Sequence, residues 1–392
     1  MKHLLDRRQL LGSAAMLGAT ALTAQDAGSA PAVADKSYHL TTPIYKIVSS
    51  YKPEGKLGAP GLFPGKVAEV KSEQSISTET DRVDRAVLHK MVERGMTSLT
   101  GAPDLVSSWK TFFEPGDRVA IKVNASGAPQ CISSPELVQE VVAGLIASGV
   151  KTKDIWLYER YAGQMDLVGY ESFLPDGVRV WSGERRRGEL AGYDRDVYVE
   201  VDFQGEEDQR SFLWEVVSKH VNKIVNIPNI KDHASAGATG CLKNIGYGSF
   251  SNVARSHSLK APMTHTRTFI GTLNSVEPLR SRTVLHIMDG LRGVWHGGPA
   301  AFTPKFLWYP KLLQFGTDPV AMDRIELDIV DGKRKEMGAV SIFNRDPQFL
   351  GQTRANPRVM VRYREPEHVQ YASGLGLGVA DIAKIKYAKF NV

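Results

Sequence analysis

Residues 118–158 constrain the fold more tightly than any other stretch. Pro115-Gly116-Asp117 reads as a turn, and residues 118–123 are a strand-length apolar run ending at Asn124. Ser134-Pro135-Glu136 then opens a helix. Ser134 can accept hydrogen bonds from free amides and Pro135 suits the first helical position. Leu137, Val141, Val142, Leu145 and Ile146 recur at helical spacing before Gly149 stops the run. Residues 154–158 form a second strand. Strand, helix and strand in so short a span pack as a right-handed crossover between parallel strands.

More strands are predicted at residues 221–227, 283–288 and 312–315, and a helix opens at Thr317-Asp318-Pro319 with Asp318 as its cap. The pattern predicts an α/β fold: an open, mainly parallel sheet with helices on both faces, in Rossmann-like layers, over residues 111–392. Residues 35–110, punctuated by Gly58-Ala59-Pro60-Gly61 and Phe63-Pro64-Gly65, are expected to form an N-terminal arm and packing segment.

Lys2, Arg7 and Arg8 precede a weakly apolar run at residues 10–24, the layout of a signal peptide over residues 1–34. Arg7-Arg8-Gln9-Leu10-Leu11 resembles a twin-arginine export signal, and small-residue cleavage sites stand at Ala19-Thr20-Ala21 and Ala32-Val33-Ala34. A periplasmic or otherwise exported location is expected, with the export machinery as a partner. The run falls short of the roughly 20 residues a spanning helix needs. No later segment reaches that length, so no stable membrane span is expected in the mature chain. The net charge of +6 is interspersed with acids. Only Glu184-Arg185-Arg186-Arg187 clusters, and a solvated loop accounts for it better than a nucleic-acid surface.

Ligands of open α/β sheets bind beyond the carboxyl ends of the strands. Lys122 and Asn124 end one predicted strand, and Glu159 and Arg160 another. Asn226, Asn229, Lys231 and His233 follow a third. Asp289, Gly290, Arg292, His296, Gly297 and Gly298 follow a fourth, and Asp318 and Asp323 a fifth. Five such ends predict one shared site. The densest stretch is the small-residue loop from Lys231 to Asn244, which holds Asp232, His233, Gly237, Thr239, Gly240, Cys241 and Lys243. A surface linker of that glycine and alanine content would not carry so many groups able to bind anions and move protons.

Several of these short patterns, in this order, resemble the domain of unknown function 362 family. They are Val119-Ala-Ile-Lys122-Val-Asn124, Ser134-Pro135-Glu136, Asn226-Ile-Pro-Asn-Ile-Lys231 with His233, Thr239-Gly240 with Leu242-Lys243-Asn244, Asp289-Gly290 with Gly298-Pro299, and Asp318-Pro319-Val-Ala-Met-Asp323. The resemblance spans residues 117 to about 335. Some family members are described as iron–sulfur proteins with an added cysteine-rich module. This chain has only Cys131 and Cys241, so it holds no intrinsic four-cysteine cluster.

Three chemistries are open for the site, each with a small anionic molecule as partner. In a metal-assisted reaction, Asp289 and Asp323, with Asn124 or His233, supply ligands for a divalent ion while Lys122, Lys231 and Lys243 neutralise the substrate. In metal-free acid–base catalysis, His233 is the base and Lys122 or Lys243 stabilises an oxyanion. In binding without turnover, as in a periplasmic ligand- or cofactor-handling protein, the same lysines cradle an anion with Asn124, Lys231, Thr239, Gly240, Asn244, Arg292 and His296. A redox role through a partner's cluster is a further alternative. The loop lacks Walker A spacing. His257 and His265 could add imidazoles to His233, and Trp295 could cover a bound molecule. Cys131 and Cys241 both fall on the proposed edge, where a disulfide would contribute about 4 kcal/mol in the chain-entropy model.

Overall fold

The computed structural model describes residues 42–185, 189–203, 205, 208–257, 264–301 and 303–392. The expected leader at residues 1–34 and its cleavage sites, with Arg186 and Arg187 of the basic cluster, lie outside the described residues. Strands β1 (Lys46–Val48) and β2 (Lys66–Lys71) precede helices α1 (Arg85–Thr100) and α2 (Leu105–Lys110). The predicted crossover follows as β3 (Val119–Lys122), α3 (Pro135–Ala147) and β4 (Ile155–Tyr161), and β3 and β4 pair in parallel. Next come α4 (Ala162–Val168), β5 (Arg179–Glu184), β6 (Tyr193–Glu200), β7 (Arg210–Trp214) and β8 (Lys223–Asn226).

The Lys231 to Asn244 stretch is ordered rather than a loop. It forms β9 (Asn229–His233), β10 (Gly237–Ala238) and the start of α5 (Gly240–Ser249). Helices α6 (Thr266–Asn274) and α7 (Leu279–Arg282) lead to the long strand β11 (Thr283–Val294). The chain ends with β12 (Leu307–Trp308), β13 (Leu312–Gly316), α8 (Pro319–Glu336), α9 (His368–Gly374) and β14 (Lys386–Asn391).

Across the main sheet the order is β14-β2-β13-β11-β8-β3-β4-β5, with β9 and β12 on β11 and β10 on β9. The pairings β11–β8, β8–β3, β3–β4 and β4–β5 are parallel, whereas β13 is antiparallel to both β11 and β2. The sheet is thus mainly parallel, with β13 reversed in its main path and the two-residue β10 and β12 antiparallel at their partners, and β2, from the expected arm, is one of its members. Reversal moves the end of β13 to the opposite edge, so only four of the five predicted strand ends share an edge. Asp318 accordingly works in the fold: it caps α8 through the Ala321 amide and also accepts from the amides of Gly65 and Val379.

Residues of alternate parity along β3, β4 and β8 enter different apolar clusters. Val119, Ile121, Leu157 and Val225 pack with the α1 and α3 side chains Met91, Leu137 and Val141, while Ala120, Trp156, Tyr158 and Ile224 pack with the α5 and α6 side chains Leu242, Ile245 and Phe269. Each fully buried aliphatic side chain of this kind contributes roughly 1.5–3 kcal/mol. The period of two therefore turns Lys122 and Asn226 toward α5, inside the protein.

Candidate functional site

A polar row crosses the sheet on the face covered by α5. Tyr158 is in register with Lys122, Lys122 with Asn226, and Asn226 with His286. All four are buried. The Lys122 Nζ donates to Glu159 Oε1 at 3.1 Å and to Asn244 Oδ1 at 3.4 Å. Asn244 Nδ2 donates to Asn226 Oδ1 at 2.7 Å, Asn226 Nδ2 to His286 Nδ1 at 3.0 Å, and the Tyr158 hydroxyl meets Ser249 Oγ at 2.9 Å. Burial lowers the Lys122 pKa against the opposing pull of Glu159, and it brings His286 down to about 3, so that imidazole is neutral.

Helix α5 can lie this close because it is rich in glycine and because one acid holds its first turn and another the strand beside it. Asp323 accepts from the amides of Cys241 and Leu242, the latter at 3.0 Å. A carboxylate on free amides at a helix N-terminus is favoured by the local dipole. Glu326, one turn further along α8, accepts from the Lys231 amide at 3.0 Å. Burial, then the Asp323 charge, pushes its pKa well above the usual carboxylate range.

Lys231 Nζ donates to Asn124 Oδ1 at 2.6 Å and to Ser126 Oγ at 2.7 Å, and Asn124 Nδ2 donates to Asn244 Oδ1 at 2.9 Å. Desolvation lowers the Lys231 pKa to about 8. Lys243 differs. Only 8% exposed, its ammonium stands 4.8 Å from the Tyr247 ring and has no hydrogen bond or ion pair among the described residues. Desolvation first, then the charges of Lys231, Arg160 and Lys122, brings its pKa down to about 7.

Two imidazoles adjoin this amine, and Lys243 is the largest charge acting on each. Their rings are 5.2 Å apart. His233 Nδ1 accepts from the amides of Ser235 and Ala236 at 3.1 and 3.0 Å, so the proton of the neutral ring is on Nε2. Burial, reinforced by Lys243, holds the His233 pKa well below its ordinary value. The expected base is therefore an N–H donor, because backbone amides already occupy its lone pair. His257 Nδ1 faces the Ala254 carbonyl at 3.2 Å, which leaves its Nε2 lone pair free of the proton, and burial brings its pKa to about 3. The hydroxyl of Thr239, also buried, has no hydrogen-bond partner among the described residues.

A family profile described as Domain of unknown function (DUF362) matches residues 119–328, more than half of the chain. The chain belongs to this family. No curated protein matches it. The DUF362 segment encloses Lys122, Asn124, Glu159, Lys231, His233, Lys243, Asn244 and His257, whereas Arg364, which bears electrostatically on His233, lies beyond it.

Other expected members of the DUF362 site have structural duties. Asp289 accepts from the Ser134 amide at 2.7 Å and the Leu291 amide at 3.0 Å, and so caps α3 in place of the Ser134 side chain, which makes no cap bond. Asp289 and Asp323 thus hold two different helices, and among the described residues no group of three or more His, Cys, Asp or Glu side chains is placed to bind a metal ion. Arg292 donates to Asp81 and Ser134, and His296 lies between Arg334 and the Arg354 carbonyl. Gly240, at φ +58°, sits against the Asp323 carboxylate with no room for a Cβ. Trp295 packs on Phe306 at 5.0 Å, and His265 stacks on Phe203 at 4.4 Å.

No disulfide joins Cys131 and Cys241. Both thiols are free and buried, Cys131 in a small cluster with Val294, Trp295 and Phe306, and Cys241 against Met322 in the larger core. Sequence reasoning overlooked Ser126, Tyr247 and Glu326. The signal for Glu326 was its spacing of three from Asp323, which puts both acids on one face of α8. A groove of about 600 Å³ beside Glu73, Ser77, Thr80 and Lys311 is lined by none of the residues of this site.

Proposed function

We propose that this protein is an exported enzyme that binds a small anionic molecule beside Lys243 and moves a proton with the Lys243 amine. The observation that carries the reading is a contrast among three buried lysines. Lys122 is bonded to Glu159 and Lys231 to Asn124 and Ser126, but Lys243 has neither hydrogen bond nor ion pair among the described residues. A buried ammonium without a partner is costly, so such a group either sheds its proton or waits for an anion. With a pKa of about 7, roughly half of this amine is uncharged at neutral pH.

An anion entering next to Lys243 would stabilise its ammonium, with Lys231 as a further positive charge; Arg160, also near, is paired with Glu184. His233 Nε2–H and the Thr239 hydroxyl add neutral donors. The uncharged amine can take a proton from a carbon acid or a hydroxyl and later return it. Lysines supply the positive charge here, since Asp289 and Asp323 keep their oxygens on backbone amides. The Arg7-Arg8 leader pattern supports export.

Competitive labelling with acetic anhydride across pH, followed by peptide mass spectrometry, tests this. Lys243 is expected to titrate near pH 7, and millimolar phosphate or small carboxylates should shield it and raise its apparent pKa. Titration together with the exposed lysines, or labelling indifferent to every anion tried, would overturn the reading.

A further inference from the structure

We propose that the anionic ligand carries a carbonyl group and that Lys243 condenses with it, which makes a small 2-oxo carboxylate the substrate class. The inference rests on the site just described and adds covalent chemistry to it. Imine formation needs an amine whose lone pair is uncommitted, a neighbouring group to neutralise the carboxylate, and a donor for the carbonyl oxygen. Lys243 meets the first condition. It projects from the first turn of α5, nine-tenths buried, without a hydrogen bond or ion pair among the described residues, and its ammonium stands over the Tyr247 ring face at 4.8 Å. Lys122 and Lys231 fail it, because each would have to break hydrogen bonds to react.

The other two conditions are met by groups whose charges or rings adjoin Lys243. Lys231 is the largest charge acting on it and suits a carboxylate, whereas Arg160, the next, is already paired with Glu184 at 2.8 Å. His233 presents an N–H, since its Nδ1 is occupied by the Ser235 and Ala236 amides, and it is suited to hydrogen-bond the carbonyl oxygen. The Lys243 nitrogen attacks the carbonyl carbon, the C=O pair moves to oxygen, and proton transfer from nitrogen to oxygen gives a neutral carbinolamine. Loss of that oxygen as water forms the C=N bond. The balance is R₂C=O plus H₂N–Lys giving R₂C=N–Lys plus H₂O, with no oxidant or reductant. Relative to an exposed lysine, whose pKa is near 10.5, an amine at about 7 is neutral roughly a thousandfold more often at pH 7, so selective reaction is expected.

The test is reductive trapping of the full chain at pH 7 with glyoxylate, pyruvate or 2-oxoglutarate and sodium cyanoborohydride, read by intact mass and peptide mapping. One saturable adduct is expected, located on Lys243 and lost in Lys243→Arg, while Lys384→Arg, at an exposed lysine, still forms it. The melting transition of each variant establishes that it is folded. Adducts spread over exposed lysines, or equal in wild type and Lys243→Arg, would overturn the proposal, as would the absence of any adduct. If anion-shielded labelling near pH 7 is found without a trapped adduct, the proton-transfer reading stands and the imine falls. If Lys243 titrates with the exposed lysines, both fall.

Discussion

Gly248 of α5 lies where the helix crosses the Lys122 side chain: a Cβ there would lie 2.0 Å from Lys122 Cε and 2.5 Å from Nζ. The lysine is held by Glu159 and Asn244, and sheet and helix close over it, so it has little room to retreat. Gly248→Ala is expected to lower unfolding free energy by about 1–3 kcal/mol through overpacking. Gly332→Ala is the control. That glycine is exposed inside α8 with nothing within 4 Å of an added Cβ, so the change should stabilise by roughly 0.5–1 kcal/mol. Urea unfolding of the two variants measures the difference.

Asp323 acts on α5 as an N-terminal acceptor for two amides. Asp323→Ala should cost about 2 kcal/mol, at the upper end of cap substitutions, because the abandoned amides are buried. Asp323→Asn keeps one acceptor and should cost less. The ordering of the two variants in thermal melts checks the assignment; equal losses would contradict it.

The depressed Lys243 pKa fixes a pH dependence. Between about 7, its folded value, and 10.5, its ordinary one, the unfolded chain binds more protons at this site than the folded one, so stability rises with pH across that window. Lys243→Met removes the group and the dependence. The variant is expected to be more stable than wild type at pH 7 by a few kcal/mol, with the gap closing by pH 10. It should also lose anion shielding, the exchange of function for stability usual in strained sites.

Burial pushes the Cys131 thiol up to about 11 and the Cys241 thiol well above its ordinary value. Since the thiolate is the reactive form, neither should react with a thiol-specific disulfide reagent in the native protein, and both should after denaturation. Two thiols released only on unfolding, with no disulfide-linked peptide under non-reducing conditions, is the expected count.

Local rules made a good part of this protein legible. Strand, helix and strand at residues 118–158 follow from apolar periodicity and a helix-initiating proline, and Asp318 caps the helix it precedes, because each signal acts within a few residues of its cause. The basic, small-residue character of the Lys231 to Asn244 stretch is likewise visible in the sequence. Tertiary structure decided the rest. Nothing within residues 312–316 states which way β13 runs; its neighbours do, and the reversal sends Asp318 to the far edge. The roles of Asp289 and Asp323 depend on which helix N-termini approach them, and the His233 tautomer on two backbone amides. Sequence placed Lys122, Lys231 and Lys243 together as cations. Only long-range packing, by giving partners to two and leaving the third buried beside neutral imidazoles, set their protonation apart, since desolvation and charge proximity are properties of the folded interior.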